Sequence, residues 1–421
     1  MESRSAGAEK GDIMANLQAV FNRFRNTYSA DERAVFLLVL SLFLSIYLTA
    51  ACAVATIVYI LVTGKLRGTL FGGKGAGYLV LFCAVMLLTT AAYGHEFELL
   101  IAIGVLLLLI LALFMRRVMT QRLFQDLIDA ACLMSIGAFL VALLQKLLIR
   151  ENQFDNRFEA VFVNPNYYAA IIEMVVLFAL YKMLTQKSGR LFYTFVIAFN
   201  FSGLAICQCR TAFLVIACSV PCLLLFLGRK KLLLLYIALG ICGAGLLFYD
   251  PGLFPRAEAL GDDFDTRWSI WMAAIEGFFE HPLLGGGCYT YSRIYTLYGG
   301  VRTTHAHNLL LELLLNYGLL GTGAAIAYVG STTRQVIRHY MARRNRSACA
   351  LCLAILIGVL AHGAVDATLF WPQTGLLAAA IFACPGICES KKWAASPSSR
   401  MPSLHLDLPE SAMLFQDFPE Q

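Results

Sequence analysis

The sequence predicts an all-α polytopic membrane protein, and its composition and hydropathy are the observations that predict it. Of the 421 residues, 59% are hydrophobic and only 14% are charged, and the mean hydropathy is +0.69. A soluble domain carries about 25% charged residues, so the chain lies outside that class. Apolar runs of about 18 or more residues recur, each long enough to cross a hydrocarbon core about 30 Å thick as a helix. Lipid offers no partner for backbone N–H groups and strand alternation is absent, so we expect helices instead of a barrel.

The apolar runs also set the expected organisation of the chain. The run at 34–64 is long for one span and short for two, so we expect 11 or 12 transmembrane helices with one long extracytoplasmic loop. The expected segments are a polar cytoplasmic leader at 1–33 with an amphipathic stretch, an N-terminal transmembrane bundle at 34–249, the extracytoplasmic loop with short helices at 250–307, C-terminal transmembrane helices at 308–388, and a polar, disordered tail at 389–421. The spans expected after the first run are 77–93, 97–115, 126–149, 167–184, 191–208, 211–228, 232–249, 313–334, 350–367 and 373–388.

Lysine and arginine residues predict the orientation. Five loops that share one side if the spans alternate hold 17 of them, and the opposite side holds eight. Cytoplasmic loops carry the excess of Lys and Arg, so the first side is assigned to the cytoplasm. The leader carries Arg23, Arg25 and Arg33, which favours an internal N-terminus and two short opening helices. The long loop is then extracytoplasmic, and helical spacing in "DTRWSIWMAAIEGFFE", followed by Pro282 and 285–287, predicts a helix within it.

The distribution of charges and cysteines argues against a nucleic-acid-binding protein and against a disulfide-stabilised scaffold. The net charge of +6 is not a nucleic-acid signal, because the basic residues lie in short loops between spans. Most of the 13 cysteines lie inside expected spans and behave as small apolar residues. Cys288 lies in the long loop. The CxxC pair Cys349 and Cys352 has no second pair, so it is weak evidence for a metal.

Four polar stretches fall on the extracytoplasmic side of this topology although they are far apart in the sequence. They are "NPNYYAA" at 164–170, "CRTAFL" at 209–214, "DTRWSIW" at 265–271 with "HPLLGGG" at 281–287, and "THAHNLLLELLLNYGLLG" at 304–321. Polar and ionisable residues are costly in and near the membrane and mark functional sites there. We therefore expect a site at this face.

Arg210 and Arg267 are candidate anion ligands. Arg210 lies between two spans with almost no loop, and Arg267 lies in the long loop. A guanidinium group keeps its charge and fits phosphate oxygens with paired hydrogen bonds, so two arginines match a diphosphate better than a single carboxylate. The alternatives are a turn residue that points to water for Arg210 and a surface salt bridge for Arg267.

His305 and His307 lie where the long loop meets an apolar run. Thr304 could cap a helix with His307 at its third position, where the helix dipole disfavours the imidazolium form. A neutral imidazole can accept a proton as a general base. His305, Asn308 and Glu312 have the spacing of one helix face, so the two histidines need not share a role. The alternative is a zinc site, although no Cys or carboxylate cluster accompanies the HxH pair in the sequence.

Taken in order, these stretches resemble the O-antigen ligase and O-antigen polymerase family of bacterial envelope proteins. The resemblance rests on "NPNYYA", "RTAFL", "TRWSIW" with "HPLLGGG", and "HAHNLLLELLLNYGLLG", and it covers roughly 130–385. The last stretch is the most specific, and Cys209 departs from the Ser or Gly that the family often has before the arginine. The resemblance implies a GT-C-like multi-pass glycosyltransferase of the cell envelope. It would use a glycan on a polyprenyl diphosphate, such as undecaprenyl diphosphate, at the outer face of the cytoplasmic membrane.

The resemblance also implies roles for individual residues. Arg210 and Arg267 match arginines that hold the diphosphate, and His307, ahead of His305, matches the proposed general base. No metal or other cofactor is implied, and in-line attack would invert the anomeric carbon. The implied partners are the lipid-linked donor, a glycan, lipid or protein acceptor, the bilayer, and a flippase or chain-length protein, with no nucleic acid. The matching polar positions with less defined roles are Asn164, Asn166, Asn308, Glu312 and Asp366.

Other functions fit the same sequence. A transporter or flippase for a lipid-linked saccharide would carry ionisable residues near mid-membrane, for which Glu173 and Glu312 are candidates, and a broken span, for which Pro221 is one. An inactive relative with a scaffolding role is a third possibility. Ligase and polymerase share their motifs, so the sequence leaves that choice, the sugar and the acceptor open.

Overall fold

The computed structural model describes residues 22–149, 152, 156–250, 252 and 260–389. Within those ranges the chain forms helices and no strands, in agreement with the predicted all-α class. Most of the leader and nearly all of the tail, for which the sequence predicts an amphipathic helix and disorder, lie outside the described residues. The helices are α1 (Ala30–Ser41), α2 (Ile46–Val62), α3 (Leu66–Phe71), α4 (Ala76–Tyr93), α5 (Glu96–Val118), α6 (Gln121–Leu148), α7 (Pro165–Thr185), α8 (Arg190–Cys207), α9 (Thr211–Phe226), α10 (Lys230–Tyr249), α11 (Leu260–Glu280), α12 (Thr290–Ile294), α13 (Leu309–Met341), α14 (Arg346–Gly363), α15 (Pro372–Phe382) and α16 (Cys384–Glu389).

Seven of the described helices are long and apolar enough to cross a membrane, which makes the chain a polytopic membrane protein. They are α4, α5, α6, α7, α8, α13 and α14. Three shorter apolar helices are α2, α9 and the segment formed by α15 and α16. The sequence predicts 11 or 12 spans, and the expected spans outside these seven correspond to α1, to the shorter apolar helices and to the 20-residue α10. Every expected span nevertheless coincides with a helix to within a few residues.

The opening run at 34–64 forms two helices. α1 ends at Ser41, and Ser45 caps α2 by accepting a hydrogen bond from the N–H of Leu48. The 12 residues of α1 rise only about 18 Å, too little to cross the hydrocarbon alone. The structure thus agrees with two short opening helices.

α7 is the most enclosed of the candidate spans, with 78% of its most apolar window buried inside the protein. Asn164 caps it by accepting a hydrogen bond from the N–H of Asn166 at 2.8 Å, and Pro165 fills the first turn, where a missing N–H costs nothing. α7 packs against α6, α8, α9 and α14. This packing fixes Asn164 and Asn166 at one end of the bundle.

α13 is interrupted at Gly318, and the loop after α11 fills the break. Gly318 has φ +59° and ψ −166°, which is not helical. The N–H groups of Leu319 and Leu320 donate to the carbonyls of Pro282 and Leu283 at 2.8 and 3.0 Å. In return, Gly286 and Gly287 donate to the carbonyls of Leu315 and Asn316 at 3.0 and 2.8 Å. Backbone groups that leave a helix within a membrane need such partners, so "HPLLGGG" and "NYGLLG" form one structural unit.

The turn at 282–287 and the break in α13 approach each other so closely that there is no room for a side chain at the point of contact. A Cβ atom at Gly318 would lie 2.4 Å from the carbonyl carbon of Leu283, and one at Gly285 would lie 2.4 Å from the carbonyl of Asn316. Both glycines also have positive φ angles. Glycine is therefore required at both positions.

We expect Gly318→Ala to destabilise the protein by more than about 1–3 kcal/mol, because it combines a backbone conformation restricted to glycine with a clash against backbone. The measurement is the thermal unfolding midpoint of the detergent-solubilised full chain. Gly330→Ala is the matched control, since a Cβ atom there meets nothing within 4 Å in the same helix. Equal midpoints for the two variants would contradict this account of the break.

Candidate functional site

The His305–His307 loop ends at a helix cap that differs from the predicted one. α13 begins at Leu309, and Asn308 is its cap, accepting hydrogen bonds from the N–H groups of Leu310 and Leu311 at 3.0 Å. Thr304 is not the cap, so the expectation that His307 occupies the first helical turn is wrong. His305 also lies outside the helix and shares no helix face with Glu312. Asn displaces Thr as the cap because its side chain reaches two N–H groups at once.

Glu312 and Asn316 hold this loop from the first half of α13. The N–H of Ala306 donates to Glu312 Oε2 at 2.7 Å, and Asn316 Nδ2 donates to Glu312 Oε1 at 2.7 Å. Asn316 Oδ1 accepts from the N–H of Thr290 at 3.2 Å. Both side chains are about 4% exposed, so Glu312 is occupied by the protein's own groups. It positions the loop.

His307 has the orientation of a general base. Its Nδ1 lies 3.0 Å from Asp366 Oδ1. Asp366 is buried, and a carboxylate in this position accepts the Nδ1–H proton and leaves Nε2 with its lone pair. Burial raises the pKa of Asp366, but the hydrogen bond from His307 and the charges of nearby histidines outweigh burial and hold it well below its usual range. Asp366 therefore stays ionised and fixes the His307 tautomer.

His305 is neutral and plays a different part. Its Nδ1 accepts a hydrogen bond from the N–H of His307 at 3.2 Å, and the two rings are 4.2 Å apart. Its Nε2 lies 4.0 Å from Asp366 Oδ1, beyond hydrogen-bond distance. Burial, followed by the charges of His307 and Arg267, lowers the pKa of His305 from 6.5 to about 4, while Asp366 opposes the shift. Of the two histidines, His307 alone is joined to a carboxylate by a hydrogen bond.

A third arginine, Arg157, enters this cluster through Asn166. Asn166 Nδ2 donates to Asp366 Oδ2 at 2.8 Å, and Asn166 Oδ1 accepts from Arg157 Nη2. Arg157 Nε donates to the carbonyl of Cys207 at 2.9 Å. The sequence indicated Asn166 as a supporting polar residue but treated Arg157 only as an orientation charge. Asn164 is used as the α7 cap, which leaves Asn166 as the member of the NPN stretch that reaches the cluster.

Arg210 and Arg267 are brought together by α11. Arg210 forms an ion pair with Asp263. Asp263, Arg267 and Trp271 follow at four-residue spacing and so share one helix face, which spans about 12 Å. At its far end, Trp271 Nε1 donates to the carbonyl of His307 at 3.4 Å. This face therefore leads from Arg210 past Arg267 to the histidine loop.

Arg267 has unused hydrogen-bonding capacity on that face. Its Nη1 atom is buried and has no partner among the described residues. A buried guanidinium N–H without an acceptor is costly unless an anion completes it. This is the strongest local indication that the cluster accepts an anionic ligand.

His305, His307 and Asp366 also form a group that could hold a metal ion. Each offers one ligand atom, and these atoms lie within 4.8 Å of one another. Within the described part of the chain, no second group of His, Cys, Asp and Glu residues is as closely grouped, and Cys349 and Cys352 are buried in α14. The sequence analysis named Asp366 as a polar position but did not associate it with the HxH pair, because it lies 59 residues from His307. The structure places it beside both histidines, so the zinc alternative has a carboxylate ligand.

A second histidine–carboxylate pair lies deeper in the bundle. His362 Nδ1 is 2.9 Å from Glu173 Oε2, and both side chains are buried. The N–H of Asp366 donates to the carbonyl of His362 at 2.9 Å, so this pair lies one turn from the cluster. His362 also lines a cavity of about 30 Å³ between α7, α9, α14 and α15. The pair was not recognised in the sequence because its members are 189 residues apart.

The lowered pKa of His305 predicts an acid-sensitive contribution to stability. Its pKa is about 4 when folded and near 6.5 when unfolded, so between these values the unfolded chain binds more protons. The contribution is complete above pH 6.5 and is lost as the pH falls towards 4. We expect His305→Asn to reduce the drop in thermal midpoint between pH 7 and pH 5, whereas His281→Asn, just after α11, leaves it unchanged. An identical drop in the parent and both variants would argue against the buried neutral histidine.

The chain was compared with known protein families and with curated proteins. Residues 193–326 match the family model described as O-antigen ligase. No curated protein matches the chain. The matched segment is narrower than the resemblance at 130–385; it contains Arg210, Arg267, His305 and His307 but ends before Asp366. Through residues 193–326, about a third of its length, this polytopic membrane protein is similar to the O-antigen ligase family, as the sequence resemblance predicts.

Proposed function

We propose that the protein transfers a glycan from a polyprenyl diphosphate carrier to an acceptor hydroxyl at the outer face of the cytoplasmic membrane. The similarity of residues 193–326 to the family model described as O-antigen ligase supports glycan transfer in polysaccharide biosynthesis. The observation that carries the finer proposal is the convergence of Arg210, Arg267 and His307 along one face of α11. Two guanidinium groups beside an oriented imidazole suit a reaction in which a diphosphate leaves and a hydroxyl attacks.

In the proposed reaction, His307 Nε2 takes the proton of the acceptor hydroxyl as its oxygen attacks the anomeric carbon. The bond between that carbon and the diphosphate oxygen breaks, and the diphosphate leaves with the electron pair. Arg210 and Arg267 stabilise its added negative charge. Attack opposite the leaving group inverts the anomeric carbon. His307 then releases its proton to water or to the diphosphate, and Asp366 stabilises the transient imidazolium.

The test is formation of a new glycosidic bond by the full-length protein in nanodiscs with a defined polyprenyl-diphosphate glycan and an acceptor. We expect His307→Gln to lower kcat by roughly 100-fold or more, the usual contribution of a general base. Arg267→Ala should raise the donor KM as well, because it removes a cation that contacts the diphosphate in both ground and transition states.

Matched controls come from the same external segment. His281→Gln replaces a histidine that stacks on Tyr93, and Arg302→Ala replaces an exposed arginine. Both should retain activity. Normal turnover by well-folded His307→Gln would remove the proposed base, and equal effects of Arg267→Ala and Arg302→Ala would remove the proposed diphosphate site.

We propose that the transfer needs no metal ion. Because His305, His307 and Asp366 could hold one, removal of metal ions tests this proposal directly. In the metal-free account, Asp366 Oδ1 is already engaged by His307 Nδ1 and by the N–H of Ala367 at 2.8 Å. Activity should then survive prolonged treatment with EDTA. Loss of activity that Zn²⁺, Mn²⁺ or Mg²⁺ restores would instead assign these three residues as ligands.

The length of the glycan that accumulates on the carrier lipid distinguishes a ligase from a polymerase. A ligase joins the glycan to a lipid or protein acceptor, so its loss leaves long chains on the carrier lipid. A polymerase joins glycan to glycan, so its loss leaves single repeat units.

A transporter or flippase for a lipid-linked saccharide is the second candidate, because the buried pair of Glu173 and His362 and the broken α13 are features of transporters. Pro221 does not contribute, since it lies inside the continuous α9. Four backbone groups at the Gly318 break are engaged by hydrogen bonds with the turn at 282–287, so these groups are not available to an ion. The reconstituted assay distinguishes the two: a transporter moves the lipid-linked glycan without making a new bond.

A further inference from the structure

α11 has two apolar faces, and one of them is uncovered. Ile270, Ala273 and Ala274 are buried against the rest of the protein. On the other face, the exposed side chains are Phe264 (56%), Trp268 (54%), Met272 (38%) and Phe279 (70%). Their spacing of four, four and seven residues places them within one stripe about 80° wide that runs the length of the helix.

The stripe has sharply different neighbours on its two sides. Arg267 and Trp271, which face the candidate site, lie along one edge. Asp265, Glu276 and Glu280 are exposed along the other edge. The helix therefore has three faces: one buried against the protein, one apolar and exposed, and one acidic and exposed. Such a helix suits a position in contact with protein, hydrocarbon and water at once.

The depth of α11 follows from its attachment to α13. The turn after α11 is bonded to the break at Gly318, nine residues beyond Leu309, where α13 begins. α13 continues for 23 residues beyond Gly318, to Met341. These residues rise about 35 Å, enough by themselves to cross a hydrocarbon core about 30 Å thick, so the break and the turn bonded to it lie near the edge of that core. The end of α11 is therefore close to the hydrocarbon and not out in the solvent.

Exposed apolar residues continue across this attachment. Leu283 (68%) and Leu284 (45%) follow the stripe, and Leu319 (55%) and Leu320 (45%) follow on α13. α13 is one of the candidate membrane spans, so its exposed leucines face lipid. The α11 stripe is thus continuous with a lipid-facing surface.

We propose that α11 lies in the membrane–water interface and that the stripe of Phe264, Trp268, Met272 and Phe279 contacts the acyl chains of the leaflet nearest the histidine loop. Tryptophan and phenylalanine favour this interface when they lie on the apolar face of an amphipathic helix. The placement holds Arg267 beside the lipid phosphates. If the proposed function is correct, a lipid-linked diphosphate can reach Arg267 from within the leaflet while its polyprenyl chain remains in the bilayer.

The test is tryptophan fluorescence of the full-length protein in phosphatidylcholine vesicles, with and without bromine on one acyl chain. Subtracting the emission of Trp268→Phe from that of the parent isolates Trp268. We expect brominated lipid to remove more than half of this emission and aqueous iodide to remove little of it. Trp271→Phe is the matched control, because the Trp271 indole faces His307; the Trp271 emission should be quenched less by the lipid.

The outcomes separate this proposal from the enzymatic one, since quenching requires no turnover. Strong quenching of Trp268 by iodide with little by brominated lipid would place the stripe in water and overturn the proposal. Protection from both quenchers would show that protein, such as a second copy of the chain, covers the stripe, and would overturn it equally. Phenylalanine preserves the apolar character, and gel filtration of each variant verifies its folding.

Discussion

The backbone hydrogen bonds between the turn at 282–287 and the break in α13 are the constraint on which the candidate site depends. An interrupted helix in a membrane leaves carbonyl and N–H groups that lipid cannot satisfy. The turn supplies four partners for them, and the absence of side chains at Gly285 and Gly318 permits the approach. This attachment fixes the end of α11 relative to the first half of α13. The arginine face of α11 and the histidine loop are consequently held by the same unit.

Burial then sets the electrostatics of the cluster. Asp366 is buried, yet it accepts hydrogen bonds from His307, Asn166 and its neighbouring backbone N–H, so its negative charge is fully solvated by protein. His305 is mostly buried as well, but it is engaged through an unprotonated Nδ1 and stays neutral. The two adjacent histidines thus differ in their partners, because His307 is hydrogen-bonded to the carboxylate and His305 is not. The HxH motif in the sequence does not show which of the two histidines is hydrogen-bonded to Asp366.

The sequence was a good guide to helices and a partial guide to the site. Hydropathy located the helices because the period and length of apolar runs are local properties, and the helix at 260–280 was foreseen from the spacing of Trp268, Ile275 and Phe279. Seven of the described helices have the length and composition of a full span, against 11 or 12 spans expected, and apolar runs alone do not reveal where a helix stops, as at Ser41. The cap at Asn308 was missed because Thr304 is an equally plausible capping residue by type. Asp263, Arg157 and His362 were missed because their partners are distant in sequence and only packing brings them together.

The ion pair between Arg210 and Asp263 has a consequence for any anion that enters the cluster. Arg210 is already paired with an internal carboxylate, whereas Arg267 retains a buried Nη1 that has no acceptor in the part of the chain that the structure describes. An anion that binds both arginines must therefore compete with Asp263 for Arg210. Its association is an exchange of one counter-ion for another at Arg210, which limits the net gain in Coulomb energy. The same exchange runs in reverse when the anion leaves, because Asp263 again pairs with the Arg210 guanidinium group, so the ion pair weakens the retention of any anion at this position.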